Sequence, residues 1–392
     1  MNLKVVYGDE ESIYNLDGLD GVVGYIGDPR DDFFIGMLRG LMEGGRPLVI
    51  HDTHGFYKDD APVYVDAGIE FKMNIISDQD IFTLSLKALT EYFRFKYPYW
   101  EVSALSSIKY FYRAAENVNL ESYIQYIINK STESTGIEKS SYLVLSNLLA
   151  GIFDPSIVLR LSSDVWSSLR DDSHIFIGYK WMNSYIARVF VSTISFLYLM
   201  RNYPGHIHIL IDSILLGRLP KGFLMGLTRN GRAVIHSYTL SDIPKYVVNT
   251  LFLNPLYVDD FHILERLRIP LYSEDIDILL YDRVLYLPVK YDRGMRLPGR
   301  DRREEVKPHL LDYIGEYREV VREILELLNS YGEMSIDGIY INVSGGDRPL
   351  ISSLVINLWR DGYLNRISDR RGTRYRMSVE GIKLLRRLRG DE

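Results

Sequence analysis

Residues that could do chemistry follow four short apolar runs of the chain. Gly27 follows GVVGYI at residues 21–26, Asp52 follows PLVIH, Asp212 follows HIHILI and His236 ends RAVIH. A glycine between an apolar run and a helix can begin a phosphate-binding loop, and carboxylates or imidazoles at strand ends can hold metal ions. The pattern therefore poses two candidate chemistries, phosphate binding and metal-dependent hydrolysis.

A metal site here would consist of histidine and carboxylate ligands, because the chain of 392 residues contains no cysteine. The same absence excludes disulfides, zinc ribbons and thiol chemistry. A hydrolase site could be assembled from His51, Asp52, His54, His206, His208, Asp212 and His236. Strand-end histidines in α/β proteins are more often structural than metal ligands, so we expect no metal site.

Composition and hydropathy predict a cytoplasmic protein. Glutamine occurs only at Gln79 and Gln125, which together with the absence of cysteine suggests thermophilic, archaeal-like usage. No basic stretch followed by an apolar one is visible near Met1. The longest apolar run, Val189–Met200, has 12 residues, whereas a membrane span needs roughly 20. We therefore expect no membrane partner.

Strands and helices alternate in residues 1–290. The apolar runs predict strands at 21–26, 47–50, 174–178, 206–211 and 232–236. Helical spacing predicts helices at 33–42 and 184–200, and residues 83–160 have the pattern of a helical insertion. Such alternation predicts an α/β fold with a parallel sheet.

These segments, taken in order, resemble the HerA/FtsK-like ATPases, the hexameric DNA-pumping branch of the P-loop proteins. Residues 22–45 (VVGYIGDPRDDFFIGMLRGLMEGG) lie where that family has its first strand, phosphate loop and helix. PLVIHDTHGFY, residues 47–57, resembles the second strand and its Asp-Pro-His-Gly-Glu-Tyr segment, and residues 208–244 resemble the Walker B and sensor strands. The resemblance implies a RecA/HerA-like sheet over roughly residues 20–290.

The residues that give that family its ATPase activity are replaced in this chain. A phosphate loop ends in Gly-Lys-Ser/Thr, in which Lys neutralises the phosphates and the hydroxyl holds Mg²⁺. Counted from Gly27, these positions hold Asp32, Phe33 and Phe34. The loop also carries Asp28 and Asp31, and Arg30 offsets only one of its three carboxylates. The loop is therefore not expected to attract a phosphate.

The second half of the site is also altered. Asp52 and Asp212 are retained, but Ser213 replaces the family's water-activating Glu and the sensor Gln is replaced at about Tyr238. The degenerate nucleotide site comprises Gly27, Arg30, Asp32, Phe33, Phe34, Asp52, Asp212, Ser213 and Tyr238. We expect no catalytic residue and no cofactor, with bound ATP and Mg²⁺ as the alternative.

The C-terminal part has a different charge. Residues 331–392 carry 11 basic and 8 acidic residues, a net charge of +3, which leaves −9 for the rest of the chain. Residues 291–310 are rich in Pro, Gly and charges of both signs, which is typical of an exposed linker. We therefore expect an ATPase-like domain at 1–290, a linker at 291–310 and a second domain at 311–392.

The second domain resembles the winged-helix DNA-binding domain. Its pattern predicts helices at 313–330, 335–340 and 348–361, a hairpin of strands at 365–369 and 373–378, and a last helix at 379–389. Short polar residues on the third helix could reach base edges and arginines on the hairpin could reach phosphates. The candidate DNA-binding residues are Arg348, Ser352, Ser353, Asn357, Arg366, Arg370, Arg371, Arg374 and Arg376.

The sequence thus predicts a catalytically inactive HerA-like homologue that associates with DNA through residues 345–390 and serves as an assembly protein. Protein partners or further copies of the chain are the other expected partners. Two alternatives remain at this point: a divergent DNA translocase that still hydrolyses ATP, and a winged-helix transcription regulator.

Overall fold

The computed structural model describes residues 2–7, 10–15, 21–93, 101–162, 174–229, 231–244, 246–254, 278–281, 286–290, 317–345, 348–360, 363–369 and 372–389. These residues fall into two compact units. The second unit contains the described residues from 317 onward, the short segment Tyr238–Leu240 and Asn254, and the first contains the others. The expected linker at 291–310 lies outside the described residues.

Eleven strands of the described residues form the sheet of the first unit: β1 (Asn2–Tyr7), β2 (Glu10–Asn15), β3 (Val22–Ile26), β4 (Leu48–Asp52), β5 (Tyr64–Asp66), β6 (Ile175–Gly178), β7 (Ile207–Leu210), β8 (Arg232–Ser237), β9 (Thr250–Leu253), β10 (Ile278–Tyr281) and β11 (Tyr286–Lys290). Their order is β2-β1-β11-β10-β9-β3-β8-β7-β4-β6-β5. The run from β9 to β5 is parallel throughout. The remaining strands add an antiparallel extension beyond β9.

Helices connect the parallel strands. They are α1 (Asp32–Glu43), α2 (Gln79–Tyr92), α3 (Glu101–Ala114), α4 (Leu120–Glu133), α5 (Gly136–Ile152), α6 (Pro155–Arg160), α7 (Tyr185–Asn202) and α8 (Lys221–Thr228), with short 3-10 helices at Leu216–Arg218 and Leu240–Asp242. Helices α2 to α6 lie between β5 and β6 and form the expected insertion. The predicted α/β class with a mostly parallel sheet is confirmed.

Both faces of the sheet are covered. Helix α1 buries Phe34, Met37 and Leu41 in a core with alternate residues of the central strands, such as Ile50 and Ile209. Helix α7 is buried nearly all round, as a helix that is apolar on every side must be. Within the described residues, no helix combines the length and apolar character that a membrane crossing would require.

The second unit is built from α9 (Arg318–Tyr331), β12 (Glu333–Met334), α10 (Ile336–Asn342), α11 (Arg348–Arg360), β13 (Leu364–Asp369), β14 (Gly372–Met377) and α12 (Val379–Arg389). Its three strands form an antiparallel sheet in the order β12-β14-β13. The core is apolar, with Ile324, Leu328, Leu354 and Tyr375 buried together. The three helices, the hairpin and the last helix begin and end close to the residues predicted from the sequence.

Candidate functional site

Four segments singled out from the sequence meet at one edge of the sheet. Strands β3, β8, β7 and β4 are consecutive and parallel, so their carboxyl ends lie side by side. Gly27, Asp52 and Asp212 all follow or end these strands, and His236 lies near the end of β8. Ligands of parallel α/β sheets bind at this edge, so the four segments meet where such folds bind ligands.

The first turn of α1 is capped by the protein's own carboxylate. Asp31 is the N-cap residue, and its Oδ1 accepts a hydrogen bond of 2.8 Å from the backbone N–H of Phe34. The other oxygen of the same carboxylate accepts from the Tyr25 hydroxyl. A helix N-terminus attracts an anion through its unpaired N–H groups and its dipole. Asp31 provides that anion in cis, in the place that the resemblance gives to a phosphate.

The side chain of Tyr25 fills the interior of the loop between β3 and α1. A Cβ placed on Gly27 would lie 2.1 Å from the Tyr25 hydroxyl oxygen, so only glycine permits the ring to lie there. The backbone N–H groups of Gly27 and Asp31 donate to the carbonyls of Ser237 and Asp28, at 3.3 and 3.1 Å. These donors are therefore used within the protein, whereas a phosphate loop directs its N–H groups at the ligand.

Two carbonyls of the same loop are also bonded to the fold. His236 Nε2 donates to Gly27 O at 2.9 Å, and the Tyr57 hydroxyl donates to Pro29 O. Both donors are buried, at 0 and 2% exposure. Removing a partner from a buried polar group is costly, so these bonds hold the loop in its closed shape.

Phe33 and Phe34, which the resemblance places at the phosphate-loop Lys and Ser/Thr, are both fully buried. The ring of Phe34 stacks on Tyr25 with 5.0 Å between centroids, and Phe33 lies 5.1 Å from Phe252. Aromatic pairs in this range stabilise a core beyond their buried area. The two residues thus belong to the α1 core, and neither supplies charge or a hydroxyl group.

Arg30 pairs with Asp28 instead of facing an open site. Its Nε and Nη2 donate to the two carboxylate oxygens at 2.9 and 2.7 Å, and its guanidinium lies 4.9 Å from the Phe56 ring centroid. Burial raises the pKa of the Asp28 carboxyl, but the hydrogen bonds and charge of Arg30 outweigh this and hold that pKa below its usual value. The one cation of the loop is therefore already neutralised. Asp32 begins α1 and is half-buried.

Asp212 is held by two side chains at the end of β7. Its Oδ2 accepts from the Tyr185 hydroxyl at 2.6 Å and lies 3.1 Å from His54 Nε2. The residue is fully buried and has a φ of 68°, which is uncommon for any residue other than glycine. In the resembling family this Asp belongs to Walker B. Here its carboxylate is part of a buried network.

His236 joins Asp212 to the loop after β3. The backbone N–H of Asp212 donates to His236 Nδ1 at 3.1 Å, while Nε2 donates to Gly27 O. A carbonyl only accepts, so the ring carries its proton on Nε2 and is neutral. Burial lowers the pKa of His236 to about 4, against smaller opposing effects of the Gly27 bond and the Asp212 charge.

Asp52 closes the loop after β4. Its two oxygens accept from the backbone N–H groups of Phe56 and Tyr57 at 3.0 and 2.9 Å. Burial raises the pKa of the Asp52 carboxyl, although these hydrogen bonds act in the opposite direction. Its role in the described structure is therefore local folding.

Ser213 and Tyr238 are the remaining positions of the degenerate site. Ser213 is fully buried, and its backbone N–H donates to the His236 carbonyl at 2.9 Å. Tyr238 directly follows β8 and is 5% exposed. Neither presents a carboxylate or an amide to solvent.

The histidines do not assemble the alternative metal site. His51 Nδ1 lies 2.8 Å from the Tyr179 hydroxyl, and His208 Nε2 donates to the Tyr203 carbonyl at 2.9 Å. Burial lowers the pKa of His208 to about 4 and that of His51 well below its usual value. No group of three or more His, Asp or Glu side chains among the described residues is arranged to hold a metal ion. The metal-dependent hydrolase alternative therefore lacks its ligand set.

Sequence reasoning missed the residues that fill the site. Tyr25 and Tyr185 carry no motif signal, because their roles depend on which side chains the fold brings beside them. His236 stood out only as a possible metal ligand, and His54 as a possible metal ligand and as part of the segment that resembles Asp-Pro-His-Gly-Glu-Tyr. Asp31 did have a signal: a polar residue immediately before a helical pattern is a typical N-cap.

In the second unit, two candidate DNA-binding residues of α11 prove to be core residues, which corrects the expectation. Arg348 is 1% exposed and its Nε donates to the Asp337 carboxylate at 2.9 Å. Ser352 is 2% exposed. Neither could reach a base edge without disrupting the core. The side chains of Ser353 and Asn357, and all of Arg370 and Arg371, lie outside what the structure describes.

The remaining candidate arginines lie on the hairpin. Arg366 is half-buried with its guanidinium 5.3 Å from the Trp359 ring centroid, and Arg374 pairs with Glu333 at 3.0 Å. Arg376 is exposed. Helix α12 adds exposed cations that lie within the expected range 345–390 but were not among the named candidates, namely Lys383, Arg386, Arg387 and Arg389. The described basic surface thus involves α12 as much as the hairpin.

Comparison with known proteins gives fold-level likenesses only. No protein-family model and no curated protein sequence matches the chain. The structure of VirB4 of Thermoanaerobacter pseudethanolicus is 13% identical with a TM-score of 0.45, and the alignment covers 75% of this chain and 96% of that one.

Two structures of a bacterial coupling protein are also similar to this chain. The conjugative coupling protein TrwBdeltaN70 is 14% identical with a TM-score of 0.38, over 64% of this chain and 71% of that one. The plasmid coupling protein TrwB in complex with ADP and Mg²⁺ is 12% identical with a TM-score of 0.40, over 77% and 90%. Likenesses at this level assign no activity here.

Proposed function

We propose that this chain is a non-hydrolysing member of the HerA/FtsK-like P-loop group that acts as a DNA-associated assembly protein. The observation that carries the first part is the Asp31 carboxylate at the N-terminus of α1. A bound phosphate would have to displace it or lie beside it. Two unit charges 4 Å apart at an effective dielectric near 20 repel by about 4 kcal/mol. The loop therefore disfavours the ligand that its family binds.

Hydrolysis would also lack its chemical groups. Phosphoryl transfer depends on a Lys and a metal ion that neutralise charge and on a residue that positions water. Phe33 and Phe34 are buried where the Lys and the hydroxyl would be, and Ser213 stands where the carboxylate would be. Asp212 already accepts a hydrogen bond from Tyr185 and lies within hydrogen-bond distance of His54. These features support a site that stabilises the fold and has no turnover.

Phosphate release from ATP in the presence of Mg²⁺ tests this directly. The full chain is compared with Asp212→Ala and with Asp212→Asn, which keeps the volume of the side chain. We expect background release from all three proteins. Turnover by the wild type that both substitutions abolish would show an active site at Asp212 and overturn the proposal.

The DNA-binding part of the proposal depends on the second unit. Helices α9, α10 and α11 followed by the β13–β14 hairpin have the element order of a winged helix, and residues 360–390 carry ten basic and three acidic residues. Exposed cations on a small unit bind the phosphate backbone with little sequence preference. This supports a module that docks on duplex DNA.

Duplex binding at several salt concentrations tests that module. Arg370→Ala/Arg371→Ala, in the sequence between β13 and β14, should weaken binding and reduce the slope of log K against log salt by about 2. Lys139→Ala/Arg229→Ala changes the same charge in the first unit and should leave both quantities unchanged. Equal effects of the two pairs would place DNA binding elsewhere.

A further inference from the structure

The helical insertion contains a pocket of about 520 Å³ between α2 and α3. Gln79 and Thr83 line it from α2, and Lys109, Tyr112 and Arg113 from α3. Leu105 and Ile108 form its apolar part. The volume is within the range of small-molecule sites.

The polar residues of the pocket form two pairs with helical spacing. Gln79 and Thr83 are four residues apart on α2, and Lys109 and Arg113 are four residues apart on α3. Residues at this spacing lie on the same helix face. The cationic pair is exposed and makes no ion pair or hydrogen bond with another described residue. Like charges at this spacing repel each other, so an anion between them would relieve an existing repulsion.

The Thr83 hydroxyl adds an unused polar group. Its Oγ1 is buried and has no hydrogen-bond partner among the described residues. A helical threonine commonly bonds back to the carbonyl four residues earlier, and this one does not. The hydroxyl therefore lacks a partner within the described structure, and a ligand oxygen in the pocket could supply one after a change of the Thr83 rotamer.

The nearby acidic and phenolic groups are largely engaged elsewhere. Asp78 caps α2 at the Ile81 N–H and pairs with Arg201 at 2.6 Å. Asp80 is exposed in the first turn of α2 and makes no such pair with another described residue. The Tyr112 hydroxyl donates to the Ile76 carbonyl. The described lining of the pocket thus contains two cations and no carboxylate.

From this arrangement we infer that the α2–α3 pocket binds a small phosphorylated molecule. Its phosphate would be held by Lys109, Arg113 and the Thr83 hydroxyl, and its apolar part would lie on Leu105 and Ile108. Arginine binds phosphate oxygens bidentately and lysine adds a point charge. This inference is independent of whether the loop after β3 binds nucleotide.

Calorimetric titration of the full chain with phenyl phosphate, at constant ionic strength, tests the pocket. The probe combines one phosphate with one apolar ring. We expect one probe bound per chain, roughly tenfold or more weakened in Lys109→Ala/Arg113→Ala, and no change in the charge-matched control Lys139→Ala/Arg229→Ala. Thr83→Val, which keeps the side-chain shape, should bind several-fold more weakly.

Three results would overturn the inference. They are no binding by the wild type, binding that survives in Lys109→Ala/Arg113→Ala, and an equal loss in the control pair, which would show a general charge effect. Unchanged affinity of Thr83→Val would overturn the hydroxyl contact.

Discussion

The loop after β3 and the α2–α3 pocket are two regions where an anion could bind. They differ in whether a carboxylate of the protein already occupies the position of that anion. At the loop, Asp31 caps the helix, Tyr25 fills the interior and Arg30 is paired with Asp28. At the pocket, Lys109 and Arg113 have no ion pair with another described residue. Whether a region is structural or binds a ligand therefore depends more on whether its polar groups already have partners in the protein than on the location of a cleft.

If the loop after β3 and its partners stabilise the fold, substitutions that remove their hydrogen bonds should lower the free energy of unfolding. The largest effect is expected for Asp212→Ala, which leaves Tyr185 and His54 without their buried partner. Leaving a buried polar group without its partner costs about 1–3 kcal/mol, and this substitution does so for two groups. Urea unfolding should show a loss of this size, whereas Glu116→Ala, an exposed carboxylate on the insertion, should change little. A loss below about 1 kcal/mol at Asp212 would contradict the structural role.

The pH dependence of stability gives the next largest effect. His236 has a pKa of about 4 in the folded chain, against roughly 6.5 when unfolded. The unfolded chain therefore binds more protons between these values, and stability falls as the pH drops from about 6.5 to about 4. The difference amounts to about 2–4 kcal/mol for this one group. Replacing His236 with Gln should remove that share of the pH dependence.

The comparison for this test is the slope of unfolding free energy against pH in wild type and in His236→Gln. Burial also lowers the pKa of His208 to about 4, so a slope should remain in the variant. Identical slopes in the two proteins would show that His236 is not held neutral by the loop.

A smaller effect is expected at the cap of α1. Asp31→Ala removes the acceptor of the Phe34 N–H and of the Tyr25 hydroxyl. Loss of an N-cap typically costs about 1 kcal/mol, with a range of roughly 0.5–2. Asp31→Asn keeps a good capping group and should retain most of this stability, as measured by urea unfolding. Equal losses in the two variants would mean that capping is not the contribution of Asp31.

The smallest effect is expected at the pocket. Lys109→Ala/Arg113→Ala removes two exposed side chains without a described ion pair. Unfolding free energy should change by no more than about 0.5 kcal/mol, since surface substitutions of this kind are nearly neutral. A loss as large as that of Asp31→Ala would make the pocket cations part of the scaffold and remove the contrast between the two regions.

The parallel centre of the fold could be predicted because its strands are uninterrupted apolar runs with glycine or polar residues after them. The strands at the edges could not. β1 (NLKVVY) has polar residues at Asn2 and Lys4, and β5 has only the three residues Tyr64–Asp66, so neither is an uninterrupted apolar run. Their pairing is decided by neighbours far away in the chain, such as β11 for β1.

The sequence could indicate which residues of the resembling family's site are replaced in this chain, but not which contacts the replacing residues make. Under the resemblance, Phe33 and Ser213 can be read from the sequence as replacements of Lys and Glu, because a fixed spacing defines those positions. The bond from Tyr25 to Asp31 is not visible, because it depends on how tightly the chain turns at Gly27. Arg348 failed as a DNA contact for a similar reason: its charge is visible, but its partner Asp337 lies on a different helix.

The proposal of a non-hydrolysing protein requires that the loop after β3 does not bind nucleotide. The most direct measurement is equilibrium binding of ATP with Mg²⁺ to the Lys109→Ala/Arg113→Ala variant, in which the proposed second phosphate site is disabled. We expect no saturable binding and no shift of the unfolding temperature, since a ligand stabilises only the state it binds. Saturable binding that Asp212→Asn abolishes would show that the loop still accepts a nucleotide and would contradict the account.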